Sequence, residues 1–189
     1  MDTDSEIIER IKKGDTSAFR FLVEKYKDVS FSLACSILKN EIIAEDALQE
    51  SFIKVYYNID RFRSHSSFPT WLYRIVVNTC LTFAKKQKRQ LLFVDIDSAK
   101  GIELDINETG IDRLLASERS AIINNALNKI KSDESLLLRL FYLSELDLQE
   151  IMKVTGFKES KIKVTLFRAR KNLLIELQKI FGNELIHKL

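Results

Sequence analysis

RFRSHSSFPTWLYRIVVNTCLTF, residues Arg61 to Phe83, contains the only proline and the only tryptophan of the 189-residue chain. Arg63 to Ser67 is a polar, serine-rich loop between Phe62 and Phe68, and Pro69 follows at the start of a helical pattern. Proline suits a first helical turn, where its missing N–H would have no intrahelical partner. At helical spacing Leu72, Ile75, Val76, Thr79, Cys80 and Phe83 share one face, and Trp71, Arg74, Asn78 and Lys85 lie roughly opposite. The stretch therefore reads as an amphipathic helix with a core side and an outer side able to grip nucleic acid.

The helical reading extends in both directions. Five glycines and one proline in 189 residues disfavour a turn-rich β fold. Upstream, Ser5 to Lys13 places Ile7, Ile8 and Ile11 on one face, with Gly14 as a left-handed stop and Asp15 as the next N-cap. Phe19, Leu22, Tyr26, Val29, Leu33 and Ile37 form the stripe of a second helix that ends near Lys39 and Asn40. A third, EIIAEDALQESFIKVYYNI, buries Ala44, Ala47, Leu48, Phe52 and Val55; its other side carries Glu45, Asp46, Gln49, Glu50 and the aliphatic Ile53. That face reads either as solvated surface or as a dock for a basic, partly apolar partner.

Downstream, the helical pattern fades across LLFVDIDSAKGIELDINETG and resumes at Ile111. The expected architecture is all-α: a helical bundle over residues 1–90, a flexible linker over 91–111 and a second helical domain over 112–189. In the second domain Asp112 to Ile130 predicts one helix, and Ser132 with Ser135 opens another covering Leu136 to Leu143. Asp147 with Glu150 three residues later makes a capping box before a short helix, Leu148 to Val154, which breaks at Thr155-Gly156. A further helix starts near Glu159 or Ser160. On it Ile162, Leu166, Ala169, Leu173 and Leu177 fall within a sector of about 80°. Ser160, Lys161, Val164, Phe167, Arg168 and Lys171 face the other way, flanked by Lys163 and Arg170. This is the punctuation of a helix-turn-helix whose second helix enters the major groove.

Net charge is only +3, but its distribution is uneven. Lys85, Lys86, Lys88 and Arg89 form one basic cluster; Lys153 to Lys171 forms another, with seven Lys/Arg against the single acid Glu159. Between them Leu91 to Glu118 has seven acids against two basic residues. Two basic clusters around an acidic connector suggest two contact surfaces for one polyanion. Cys35 and Cys80 make no CxxC and occupy apolar helical positions, which predicts buried structural thiols and no zinc site. No Gly-rich phosphate loop or catalytic triad is visible, so an enzyme is not expected, nor is a cofactor. The N-terminus lacks a signal-peptide pattern and no apolar run approaches membrane-spanning length, so a cytoplasmic protein without membrane insertion is expected.

Taken in order, three motifs resemble an extracytoplasmic-function (ECF) sigma factor, a bacterial promoter-recognition subunit of RNA polymerase. AEDALQESFIKVY, Ala44 to Tyr56, is similar to region 2.2, which docks on core polymerase. FRSHSSFPTWLYRIVVNTC is similar to regions 2.3 and 2.4, which melt and read the −10 element. LQEIMKVTGFKESKIKVTLFRARKNL is similar to region 4.2, which reads the −35 element. The resemblance implies that Asp46, Gln49, Glu50 and Ile53 contact core RNA polymerase. It implies a −10 contact set of Phe62, Arg63, Ser64, His65, Ser66, Ser67, Phe68, Trp71, Arg74, Asn78, Lys85, Lys86 and Lys88, with a flipped base captured by the Phe62–Phe68 loop and phosphates held by the lysines and Arg89. It implies a −35 set of Ser160, Lys161, Lys163, Val164, Phe167, Arg168 and Lys171. It further implies promoter DNA as ligand, no catalysis by the chain itself, and an anti-sigma factor as a regulatory partner. Ser64-His65 stands where family members commonly have Gly-Asp, Pro69 where a non-proline is usual, Ile130-Lys131 where Leu-Pro is frequent, and Val164 where a polar residue is often found. The alternative is a stand-alone helix-turn-helix regulator, which would need neither the acidic docking face nor the serine-rich loop.

Overall fold

A capping box starts the chain's first helix: Thr3 Oγ1 accepts from Glu6 N–H, and Glu6 Oε2 accepts in return from Thr3 N–H at 2.6 Å. In the computed structural model, which describes residues 3–63, 66–91 and 111–181, this helix is α1 (Asp4–Lys12). Ile7, Ile8 and Ile11 are buried, as their spacing requires, and Gly14 takes a left-handed φ of 99°. Asp15, expected as an N-cap, makes no such bond because a 3₁₀ turn, Thr16–Ala18, intervenes. Its carboxylate instead pairs with Arg10 at 2.9 Å and accepts from Ser17 Oγ at 2.6 Å.

Helix α2 (Phe19–Leu38) ends at Lys39, a non-glycine residue at φ 53°, and Asn40 then caps α3 (Glu41–Asn58) by accepting from Ile43 N–H at 3.0 Å. A 3₁₀ turn, Ile59–Arg61, leads into the serine-rich loop, and α4 (Phe68–Leu91) follows. Helices α2, α3 and α4 pack together around Leu22, Leu33, Ala44, Val55, Leu72 and Val76, all nearly or wholly inaccessible to water. Small residues at Ala44, Ala47 and Ser51 let α3 approach closely.

Most of the expected linker, residues 92–110, lies outside the described residues; Ile111, its last position, is the first of α5 (Ile111–Lys129). Helix α6 (Ser132–Leu138) has Lys131 at its N-cap position in place of a serine, and it ends earlier than its apolar pattern suggests. It passes into a π-helical turn, Arg139–Leu143, closed by Ser144 N–H on Arg139 C=O at 3.0 Å. Asp147 caps α7 (Leu148–Thr155) in the expected capping box: Asp147 Oδ1 accepts from Glu150 N–H at 2.8 Å. Gly156 at φ 71° turns the chain into α8 (Glu159–Phe181). No strand occurs among the described residues.

The two helical halves share one core. Helix α7 packs on α4, and α6 with the π turn packs on α2. This explains why α4 buries more than one stripe. Tyr73 and Val77, outside the expected core face, are buried along with Leu72, Val76 and Cys80, because α4 is covered on two sides.

Candidate nucleic-acid and polymerase interfaces

The acidic side of α3 is open to solvent. Asp46 and Gln49 are exposed, Glu50 is half-buried, and Ile53 is 55% exposed although it is aliphatic. Ile42 and Tyr57, which sequence spacing did not single out, extend this apolar exposure to both ends of the helix. Glu50 pairs with Lys54 one turn on, at 2.6 Å, and Lys54 Nζ also donates to Thr79 Oγ1 of α4 at 3.3 Å. Lys54 thus stands between the acidic face of α3 and the outer face of α4.

Three rings pack together at the two ends of the serine-rich loop. Phe62 and Phe68 meet edge to face with centroids 5.7 Å apart, and Trp71 stacks obliquely on both, at 5.3 and 5.9 Å. Tyr26 closes the cluster against Phe68 at 5.5 Å, and Lys12 Nζ donates to Phe62 C=O at 3.1 Å. Phe62 and Phe68 are only 8% and 4% exposed, so both rings belong to the core. Ser67 Oγ lies 3.4 Å from Thr70 N–H and 2.7 Å from Thr70 Oγ1, holding the first turn of α4. Arg63 and Ser67 are exposed and Ser66 is half-buried; Ser64 and His65 lie outside the described residues.

Beside the loop runs an open groove of about 570 Å³, lined by Lys54, Asn58, Arg61, Trp71, Ile75, Asn78, Thr79 and Thr82. It brings Trp71 and Asn78 together and adds three polar residues from α3 and the turn after it: Lys54, Asn58 and Arg61. Sequence spacing within α4 could not supply these. The signal was the approach of α3 to α4, which no single-helix pattern contains. Arg74 is exposed on the same helix, and Lys85, Lys86, Lys88 and Arg89 continue along its exposed C-terminal end.

On α8, Ile162, Leu166 and Ala169 are buried while Ser160, Lys161, Lys163, Val164, Phe167, Arg168 and Lys171 are all exposed. Lys161 Nζ sits 3.3 Å above the Phe157 ring, and Lys171 Nζ 4.6 Å from Phe167. Lys163 pairs with Glu159 at 2.6 Å, and Arg170 is turned aside to the Tyr142 hydroxyl at 2.9 Å. The Phe167 ring, 59% exposed among these cations, has no packing role that accounts for it.

The geometry is that of a helix-turn-helix and a second, aromatic-and-amide groove carried on one chain. Residues 22–90 match the Sigma-70 region 2 family. Along nearly its whole length the chain is 31% identical to the ECF RNA polymerase sigma-E factor of Haemophilus influenzae, over 93% of this chain and 96% of that one. The chain belongs to the ECF RNA polymerase sigma factors. It is 32% identical to the sigma factor SigW of Bacillus subtilis, over 90% of this chain and 95% of the relative. Among solved structures, CnrH in complex with the cytosolic domain of CnrY matches 94% of this sigma factor with a TM-score of 0.62 at 20% identity. RpoE of Bartonella quintana, solved with the anti-sigma factor NepR, matches 88% with the same score and identity. These two likenesses support the all-helical fold.

Burial also decides the chemistry of the thiols. Cys35 and Cys80 are enclosed, and desolvation pushes their pKa values up to about 11 and about 12, so neither is a thiolate at neutral pH. No helix among the described residues is long and apolar enough to cross a membrane.

Proposed function

We propose that this sigma factor docks on core RNA polymerase through α3, admits the −10 non-template strand to the serine-rich loop and the Trp71–Asn78 groove, and reads −35 duplex with α8. The observation that carries this reading is the exposure of residues whose chemistry has no structural use. Ile53 is bare on an acidic helix, Asn78 lines an open groove beside an aromatic, and Phe167 stands among cations. An aliphatic ringed by Asp46, Gln49 and Glu50 suits a basic partner surface with an apolar centre. In the groove, Trp71 offers a stacking plate and Asn78 an amide that can both donate to and accept from a base edge. Lys54 and Arg61 add positive charge for the strand's phosphates, and Lys85, Lys86, Lys88 and Arg89 continue the cationic track without reading sequence. Ser64 and His65, with Ser66, would border the base admitted by the loop. On α8, Lys161, Lys163, Arg168 and Lys171 reach phosphates and guanine edges, while Val164 and Phe167 suit thymine methyl groups.

The chain itself performs no bond chemistry in this reading; RNA synthesis remains with the polymerase. It acts in the cytoplasm, where it meets core enzyme, promoter DNA and an anti-sigma factor, the class of partner named for the Bartonella quintana structure. Replacing Glu50 and Ile53 together with alanine is expected to weaken association with purified core enzyme by about tenfold or more, since desolvated centres dominate interface energetics. Binding of −35 duplex by the same variant should remain within a factor of about two, because those sites share no partner. Unchanged core affinity would remove α3 from the polymerase interface.

A further inference from the structure

Away from its recognition face, α8 borders an apolar groove that promoter reading leaves unused. The groove encloses about 390 Å³ between α5, the π turn and the second half of α8, with Ile123, Leu127, Leu143, Leu173, Leu174 and Leu177 on its walls. Ile123, Leu143 and Leu174 are each nearly half exposed, so part of this apolar surface stays in water. Its volume lies at the lower end of the range for small-molecule sites.

The charge at the groove is of one sign. Arg139 and Arg170 are the charged residues that line it, and no carboxylate borders it. Arg139 is committed to Ser32, Asn124, Asn128 and Ser135, which leaves Arg170 as the available cation. Arg170 Nε donates to the Tyr142 hydroxyl at 2.9 Å, and its guanidinium lies 5.7 and 5.6 Å from the centroids of the Phe141 and Tyr142 rings. Those contacts hold the planar fork in place, while its terminal nitrogens have no carboxylate partner among the described residues. A fork held this way can donate two parallel N–H bonds to a carboxylate with little further ordering. Along α8 the distance from Arg170 to Leu177 is about 10 Å, so the groove has a cationic end and an aliphatic floor.

We propose that this groove is a binding site for a fatty carboxylate, its head on Arg170 and Tyr142 and its alkyl tail along Leu173, Leu174 and Leu177. One anionic head and an uncharged tail match a lining with one available cation and otherwise aliphatic walls. A second copy of the chain or a partner helix would instead bring several polar side chains against walls that offer them few partners. Arg170 lies outside the −35 contact set, so the site is separate from the promoter-reading residues.

The test titrates the full chain with decanoate, below its micellar concentration, and with decanol and decylammonium, which share the tail. Decanoate should saturate a single site about tenfold more tightly than decanol, with decylammonium weaker than both. Arg170→Met should bring decanoate down to the decanol affinity, whereas Arg170→Lys, which keeps the charge, should retain most of the preference. Leu174→Asp, at a position exposed enough to keep the helicity of the parent, should reverse the order in favour of decylammonium. A parent chain without saturable decanoate binding, or an Arg170→Met variant with the preference unchanged, overturns the site. So does a chain that is dimeric in solution and becomes monomeric with Leu174→Asp, which would assign the groove to a second copy.

Discussion

At the scale of single residues, Asn78 and Cys80 sit two positions apart on α4 and have opposite fates. Asn78 is exposed at the groove beside Trp71, whereas Cys80 is wholly buried against the core of α2 and α3. An amide exposed on a helix already satisfied by its own backbone bonds is available for recognition; a thiol in the core is available only for packing. The thiol leaves a signature in pH. Burial raises the pKa of Cys80 to about 12 and of Cys35 to about 11 from an ordinary value of 9.0, and it raises Tyr73 to about 12 from 10.0. Each group holds its proton more tightly folded than unfolded. Their contribution is therefore intact below pH 9 and lost as pH rises from 9 towards 12. Urea midpoints should fall with pH across that range, and the fall should be shallower in Cys80→Ala. An identical slope in the variant would mean that the thiol does not couple to folding.

At the scale of elements, α7 and α8 are held by local chemistry. Asp147 satisfies the first turn of α7 and Gly156 provides the left-handed stop at φ 71°. Asp147→Ala should destabilise the protein by about 1 kcal/mol, measured by denaturant unfolding, with −35 affinity reduced through α7 while α3 still binds core enzyme. Loss of core binding by this variant would contradict that separation of roles. Such elements were legible in the sequence because their determinants lie within a few residues: the capping box, the Gly156 turn, and the Ile162–Leu166–Ala169 stripe. The same holds for the exposed cations of α8 and for Ile53. What the sequence did not contain were features made by two elements at once. Tyr73 and Val77 are buried because α7 covers a second side of α4. Lys54, Asn58 and Arg61 join the groove because α3 lies along α4. Arg139 is buried because four neutral oxygens from three helices accept from it. Phe62 and Phe68, expected in the −10 contact set, have both rings buried by aromatic packing with Tyr26 and Trp71, which the loop's own sequence does not show.

At the scale of the whole molecule, this ECF sigma factor carries an acidic helix face with an exposed aliphatic, an open groove with an aromatic and an amide, and a basic helix-turn-helix, which we propose as polymerase dock, single-strand site and duplex reader. None of the three surfaces suffices alone for promoter-directed initiation. A helix-turn-helix binds duplex without opening it, and a base-trapping loop gains a strand only when polymerase contacts offset the unstacking cost of a few kcal/mol. The decisive experiment is run-off transcription by core enzyme with this chain, on promoters altered singly at −10 and −35 positions, for the parent and for Asn78→Ala. The parent should produce transcripts that depend on both elements. Asn78→Ala should lose discrimination at one −10 position by about tenfold, keeping its −35 preference and core affinity. Transcripts indifferent to −10 sequence, or an Asn78→Ala profile identical to the parent's, would contradict the account.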